Sequence, residues 1–144
     1  MAIKILTSNM LIGIILLGVS NALADNLNYV GKFIKGYAQI EVMESSPANN
    51  QLKVNISTTR ANGKMCFFES EEVVELPSRI LIARANGPVY NRETNKVETV
   101  TCEITLTYSD DMKILSAIVK NRDNCFYFCG ISAALDVIKA KKTN

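Results

Sequence analysis

Four cysteines and a short run of glutamates are the residues here with the most chemistry to offer. Cys66, Cys102, Cys125 and Cys129 can form disulfides, hold a metal or attack as thiolates, while Glu71, Glu72 and Glu75 could supply paired carboxylates and, together with Glu69, a charged docking face. The chain has no histidine. That removes the commonest general base and every Ser-His or Cys-His nucleophile pair. It also weakens zinc, since no paired Cys-x-x-Cys knuckles bring four thiolates to one centre. Cys125 and Cys129 are separated by three residues rather than two, which disfavours a thioredoxin-like redox site. No phosphate-binding glycine loop is present. The expectation is a protein that is not an enzyme, with no cofactor and no metal.

The compartment follows from the first two dozen residues. Lys4 gives a cationic start, Ile12 to Val19 is almost unbroken apolar chain, and Ala22-Leu23-Ala24 offers small side chains for a peptidase. This pattern predicts a signal peptide over residues 1–24, cut before Asp25, and a single domain over 25–144. The apolar stretch is short for a retained anchor of roughly 20 residues. No later segment reaches that length, so no membrane insertion is expected after cleavage. Losing Lys4 with the leader lowers the formal charge from +2 to +1, too balanced for a surface that tracks nucleic-acid phosphates. About 120 residues remain, enough for one core.

An even number of cysteines outside the cytoplasm predicts two disulfides. Three pairings are possible. In a straight strand Cys125 and Cys129 would stand about 13 Å apart and could not bond. Gly130 directly after Cys129 favours a bent loop that closes Cys125 on Cys129 and leaves Cys66 to pair with Cys102. The latter bond would close a loop of about 37 residues and contribute about 4 kcal/mol.

The elements that must position these residues read as strands, because apolar residues alternate with period two almost throughout. Ala38, Ile40 and Val42 form one buried face, and Leu52, Val54, Ile56 and Thr58 a second. Asn62-Gly63 predicts a hairpin turn, and Cys66 and Phe68 lie on one face of the return strand. Pro77 stops Val73 to Leu76, and Arg79 to Arg84 is expected to be well buried. Asn86-Gly87-Pro88 reads as a turn and Asn91 to Lys96 as a polar connection. Val97 to Tyr108 is the clearest strand, with Val100, Cys102, Ile104, Leu106 and Tyr108 on its inner face. Ser109-Asp110-Asp111 and Asn121 to Asn124 turn the chain on either side of Lys113 to Val119. Ile131 to Lys139 predicts a short helical turn, capped by Ser132, leading into an edge strand. Lys139 to Asn144 is too charged to join the core and is expected to fray. The fold class is therefore mainly β, an antiparallel meander forming a small barrel or sandwich with a short C-terminal helical turn.

With Cys66 ending a hairpin, Thr101-Cys102-Glu103-Ile104 opening a strand, and Cys125-Phe126-Tyr127-Phe128-Cys129-Gly130 near the C-terminus, the chain resembles a class of small secreted bacterial two-disulfide β proteins. In build it is similar to periplasmic lysozyme inhibitors. The resemblance implies a periplasmic or secreted protein of a Gram-negative cell. The functional expectation is a binding protein that inhibits, or gives immunity to, a cell-wall hydrolase of lysozyme type, using Glu69, Glu71, Glu72 and Glu75 against a cationic enzyme. The alternatives are a structural envelope protein and a carrier of a small apolar ligand. In the carrier, Phe67, Phe68, Phe126 and Phe128 would line the cavity.

Overall fold

The computed structural model describes residues 29–46, 48–129 and 134–144. The expected signal peptide, Gly130 and the Ser132 cap lie outside these residues. Among the described residues the chain forms β1 (Gly31–Lys35), β2 (Ala38–Ser46), β3 (Gln51–Thr59), β4 (Met65–Glu69), β5 (Glu72–Leu76), β6 (Ile80–Asn91), β7 (Lys96–Tyr108) and β8 (Ile114–Val119). A 3-10 turn (Asp123–Cys125), one turn of α-helix α1 (Phe126–Cys129) and β9 (Val137–Lys142) complete it. The strands make one antiparallel half-barrel sheet in the order β4-β3-β2-β1-β9-β8-β7-β6-β5. The expected mainly β meander is therefore what forms, with one departure. Two four-stranded meanders are joined through the last strand, β9, which pairs with β1 on one side and β8 on the other.

Period-two burial is what assembles these strands. Ile40 and Val42 on β2, Val54 and Ile56 on β3, and Ile104 and Leu106 on β7 are fully or almost fully buried, and their neighbours in sequence point outward. Each such side chain contributes about 1.5–3 kcal/mol on leaving water. Tyr108 brings a polar group into this core and has it satisfied. Its hydroxyl donates to the Tyr29 carbonyl at 2.8 Å, and its ring meets Tyr29 and Phe33 edge-on at 5.2 and 5.6 Å. Burial, with Tyr29 adding to it, pushes this phenol above its ordinary range, so it remains a donor.

The two edge strands, β4 and β5, are halves of one segment. At Ser70 the backbone N–H still donates to Val54 of β3, at 2.9 Å, and at Glu71 it donates to Arg84 of β6, at 2.8 Å. The Ser70 hydroxyl accepts the Val54 N–H at 2.8 Å and so replaces the ladder carbonyl lost at the crossing. The chain thus leaves one edge of the sheet and joins the other within two residues, which brings those edges together.

Three expectations need correction. Asn86-Gly87-Pro88 is no turn but the middle of β6, in register with Thr101, Val100 and Thr99 of β7. Pro88 is tolerated because β5 accompanies β6 only as far as Arg84, which leaves its other side a free edge. The helical turn falls at Phe126–Cys129, before the segment expected to carry it. The C-terminal lysines do not fray, and β9 is no edge strand. Val137 and Ala140 face the core while the lysine side chains stay outside, and ladders on both sides fix the backbone.

Candidate functional site

Beyond Glu69, β4 runs to join β5, and the upper half of β6 is left without a strand beside it. The 3-10 turn and α1 fill this opening, touching β4, β6 and β7. The sequence starts the turn locally. Asn121 Oδ1 accepts the Asp123 N–H at 3.0 Å, the Cys125 N–H returns to the Arg122 carbonyl at 3.0 Å, and Asn124 Nδ2 donates to the Thr101 carbonyl at 3.2 Å.

In this helical stretch Cys125 and Cys129 are four residues apart and so point the same way. The observed bonds are Cys66–Cys129 and Cys102–Cys125. The expected pairing of Cys66 with Cys102 and Cys125 with Cys129 is overturned. The helical turn lies between the two strands, so each strand thiol meets a helix thiol before it can meet the other. All four cysteines are consumed. Two such bonds are the mark of an oxidising, extracytoplasmic environment.

The residues between the helix cysteines form an aromatic step from core to surface. Phe68 is fully buried, Phe128 meets it edge-on at 5.2 Å, and Tyr127 meets Phe128 edge-on at 5.3 Å. Tyr127 lies directly on the backbone of Gly87, where any Cβ would come within 2.9 Å of its ring. Phe126 is 46% exposed and Tyr127 60%. Beside them is a groove of about 380 Å³, with Val119, Phe126 and Leu135 on its apolar side and Arg60, Arg122 and Asp136 on its polar side. Asp136 accepts the Val119 N–H at 2.9 Å and Arg122 Nη2 at 3.2 Å. Among the described residues Arg60 makes no ion pair.

The four glutamates lie along the edge segment and are mostly engaged locally. Glu69 pairs with Lys53 at 2.5 Å, Glu72 with Arg84 at 3.2 Å, and Glu71 accepts Asn86 Nδ2 at 2.9 Å. Glu75 is exposed near Arg79 at the far end of β5. Arg84 also pairs with Glu103 at 2.8 Å, and Glu103 with Lys120 at 2.9 Å, which makes a charge ladder across β5, β6 and β7. The hydrogen bonds from Arg84 and Lys120 hold the Glu103 carboxyl below its ordinary value. The four phenylalanines do not line one cavity. Phe68 is in the core, Phe67 is exposed on β4, and Phe126 and Phe128 lie on different sides of α1.

Sequence reasoning passed over Tyr127, Gly87, Arg122 and Asp136. A tyrosine between two phenylalanines, bracketed by cysteines, was the available signal for the first. The others depend on contacts between residues distant in sequence. Compared with family models, curated proteins and solved structures, this chain matches none.

Proposed function

We propose that this protein is a non-catalytic, exported binding protein that docks a protein partner at the disulfide-bracketed rim. The class of partner the sequence favours is a cell-wall hydrolase, met in the periplasm or after secretion, which the protein inhibits or confers immunity against. One observation carries the reading: Phe126 and Tyr127 are exposed on a turn fastened at both ends by disulfides. Aromatic side chains held rigidly at a surface supply contact area with little conformational entropy left to lose. The local pairing of Glu69, Glu71 and Glu72 favours the rim over the acidic segment as the principal contact.

The test is the clearing of a cell-wall suspension by a lysozyme-type muramidase. Equimolar protein is expected to slow clearing, Phe126→Ala with Tyr127→Ala to restore it, and substitution of all four glutamates by glutamine to have the lesser effect. Full clearing in the presence of excess protein rejects the hydrolase. A carrier is the second reading, favoured by the apolar side of the groove. Native mass spectrometry of protein taken from the exported fraction would then show an added mass.

A further inference from the structure

We propose that the outer face of β1, β9 and β8 is a docking surface for an anionic phospholipid membrane. This goes beyond the rim and uses none of its residues. Phe33, Leu115, Ala117 and Ala140 face inward with no exposure, so the intervening residues of these strands face out. They are Lys32 and Ile34 on β1, Lys141 on β9, and Ile114, Ser116 and Ile118 on β8.

A bulge then adds to this face. β9 shifts register against β8 between the pairs Leu115–Ala140 and Ala117–Val137, so both Ile138 and Lys139 are exposed between two inward residues. Lys139 adopts the left-handed backbone region, at φ 56°, and its N–H is held by the Ser116 hydroxyl at 2.9 Å. Bulges of this kind re-aim side chains. Here one extra residue is fitted between Val137 and Ala140, and an isoleucine and a lysine are both left on the outside.

The face has the composition that a phospholipid surface selects. Register places Lys141 between Ile34 and Ile114, and Ile34, Ile118 and Ile138 are 38%, 44% and 43% exposed. Lys35, whose Nζ donates to the Ile138 carbonyl at 2.6 Å, and Lys113 add charge where β1 ends and β8 begins, whereas Lys142 pairs with the inward Phe33 and carries its ammonium over that ring at 5.8 Å. Among the described residues none of the five lysines of this face, Lys32, Lys35, Lys113, Lys139 and Lys141, makes an ion pair with a carboxylate. Glu41, opposite Lys32 on β2, Asp111, next to the β8 start, and Asp136, which precedes β9 and is held by the Val119 N–H and Arg122, are the nearby acids. No arginine lies on the face. Lysines act as hydrated point charges on flexible stems, suited to a diffuse layer of phosphates, whereas bidentate recognition of one phosphate calls for arginine. Exposed isoleucines between them suit the boundary between headgroups and acyl chains and have no use against a purely polar polyanion. The residues of β1, β9 and β8 that face out include lysines and no carboxylate, so this face is locally cationic despite the small net charge of the molecule. An anionic surface would orient it with the lysines inward.

The experiment is co-sedimentation of protein from the exported fraction with vesicles of phosphatidylcholine, alone or mixed equally with phosphatidylglycerol. Binding is expected to the mixed vesicles only, and to be lost as salt approaches 1 M. Lys32→Gln with Lys139→Gln and Lys141→Gln should lower the partition coefficient about a hundredfold, about fivefold per lysine. Intact disulfides and an unchanged melting curve would show that this variant folds. Ile34→Ser with Ile138→Ser should weaken vesicle binding while leaving any retention on heparin unchanged. Equal binding to neutral vesicles, no loss in the lysine variant, or no loss in the isoleucine variant would each overturn the proposal.

Discussion

The half-barrel is held together differently on its two sides. Between β1 and β8 the neighbours run alongside one another, and β9 joins them with backbone hydrogen bonds. Between β4 and the upper half of β6 there is no ladder among the described residues, and a helical turn bonded through sulfur to β4 and β7 takes its place. A hydrogen-bonded ladder needs two edges of matching direction, whereas a disulfide needs only one pair of facing side chains. Where a strand is left without a neighbour beside it, covalent bonds serve and ladders do not.

The strongest way to break this contrast is to remove the sulfur. Cys66→Ala with Cys129→Ala should lower stability by about 4 kcal/mol, and Cys102→Ala with Cys125→Ala, closing a shorter loop, by about 3.5 kcal/mol in denaturant titrations. Hydrogen exchange in either variant should quicken first at 123–129 and last in β9. Equal quickening in both regions would mean that the two sides are not separable. On the ladder side, Leu115→Ala should cost about 3 kcal/mol through the cavity it leaves, and should raise exchange throughout the sheet rather than at the rim.

Gly87→Ala sharpens the comparison at the rim. Its Cβ would displace the Tyr127 ring, at a cost of about 1 kcal/mol in melting experiments. In a Tyr127→Ala background the same change should cost much less. The smallest effect belongs to Glu103. Its carboxyl titrates lower in the folded chain than its ordinary value of 4.5, so its contribution is complete above that value and disappears as pH falls below it. Glu103→Gln should flatten this acid dependence, with a stability change under about 1 kcal/mol near neutral pH.

The strands were legible where one face is buried and the other wet, because that condition writes period two into the sequence. Leu52 to Thr58 and Cys102 to Tyr108 are plain examples. β9 was not, since its inward residues are only Val137 and Ala140 and the bulge breaks their alternation. Asn86-Gly87-Pro88 misled for a related reason. Turn propensity is local, but Gly87 is needed under Tyr127 and Pro88 is allowed by a missing neighbour, and neither fact is local. The disulfide map was hidden by the helical turn, for which Phe126-Tyr127-Phe128 gives no propensity signal. At the candidate site the cysteines were legible as cross-links, whereas the groove draws on Arg60, Arg122 and Asp136 from three separate segments.

The placement of the final strand has a temporal meaning. A polypeptide emerges from its N-terminus, yet β1 and β8 obtain their shared neighbour only from 137–142, which follow both of them in the chain. Two half-sheets with bare edges are all that earlier stretches can assemble. Commitment to the native state therefore waits for these residues, and the earlier strands stay open until β9 has been delivered.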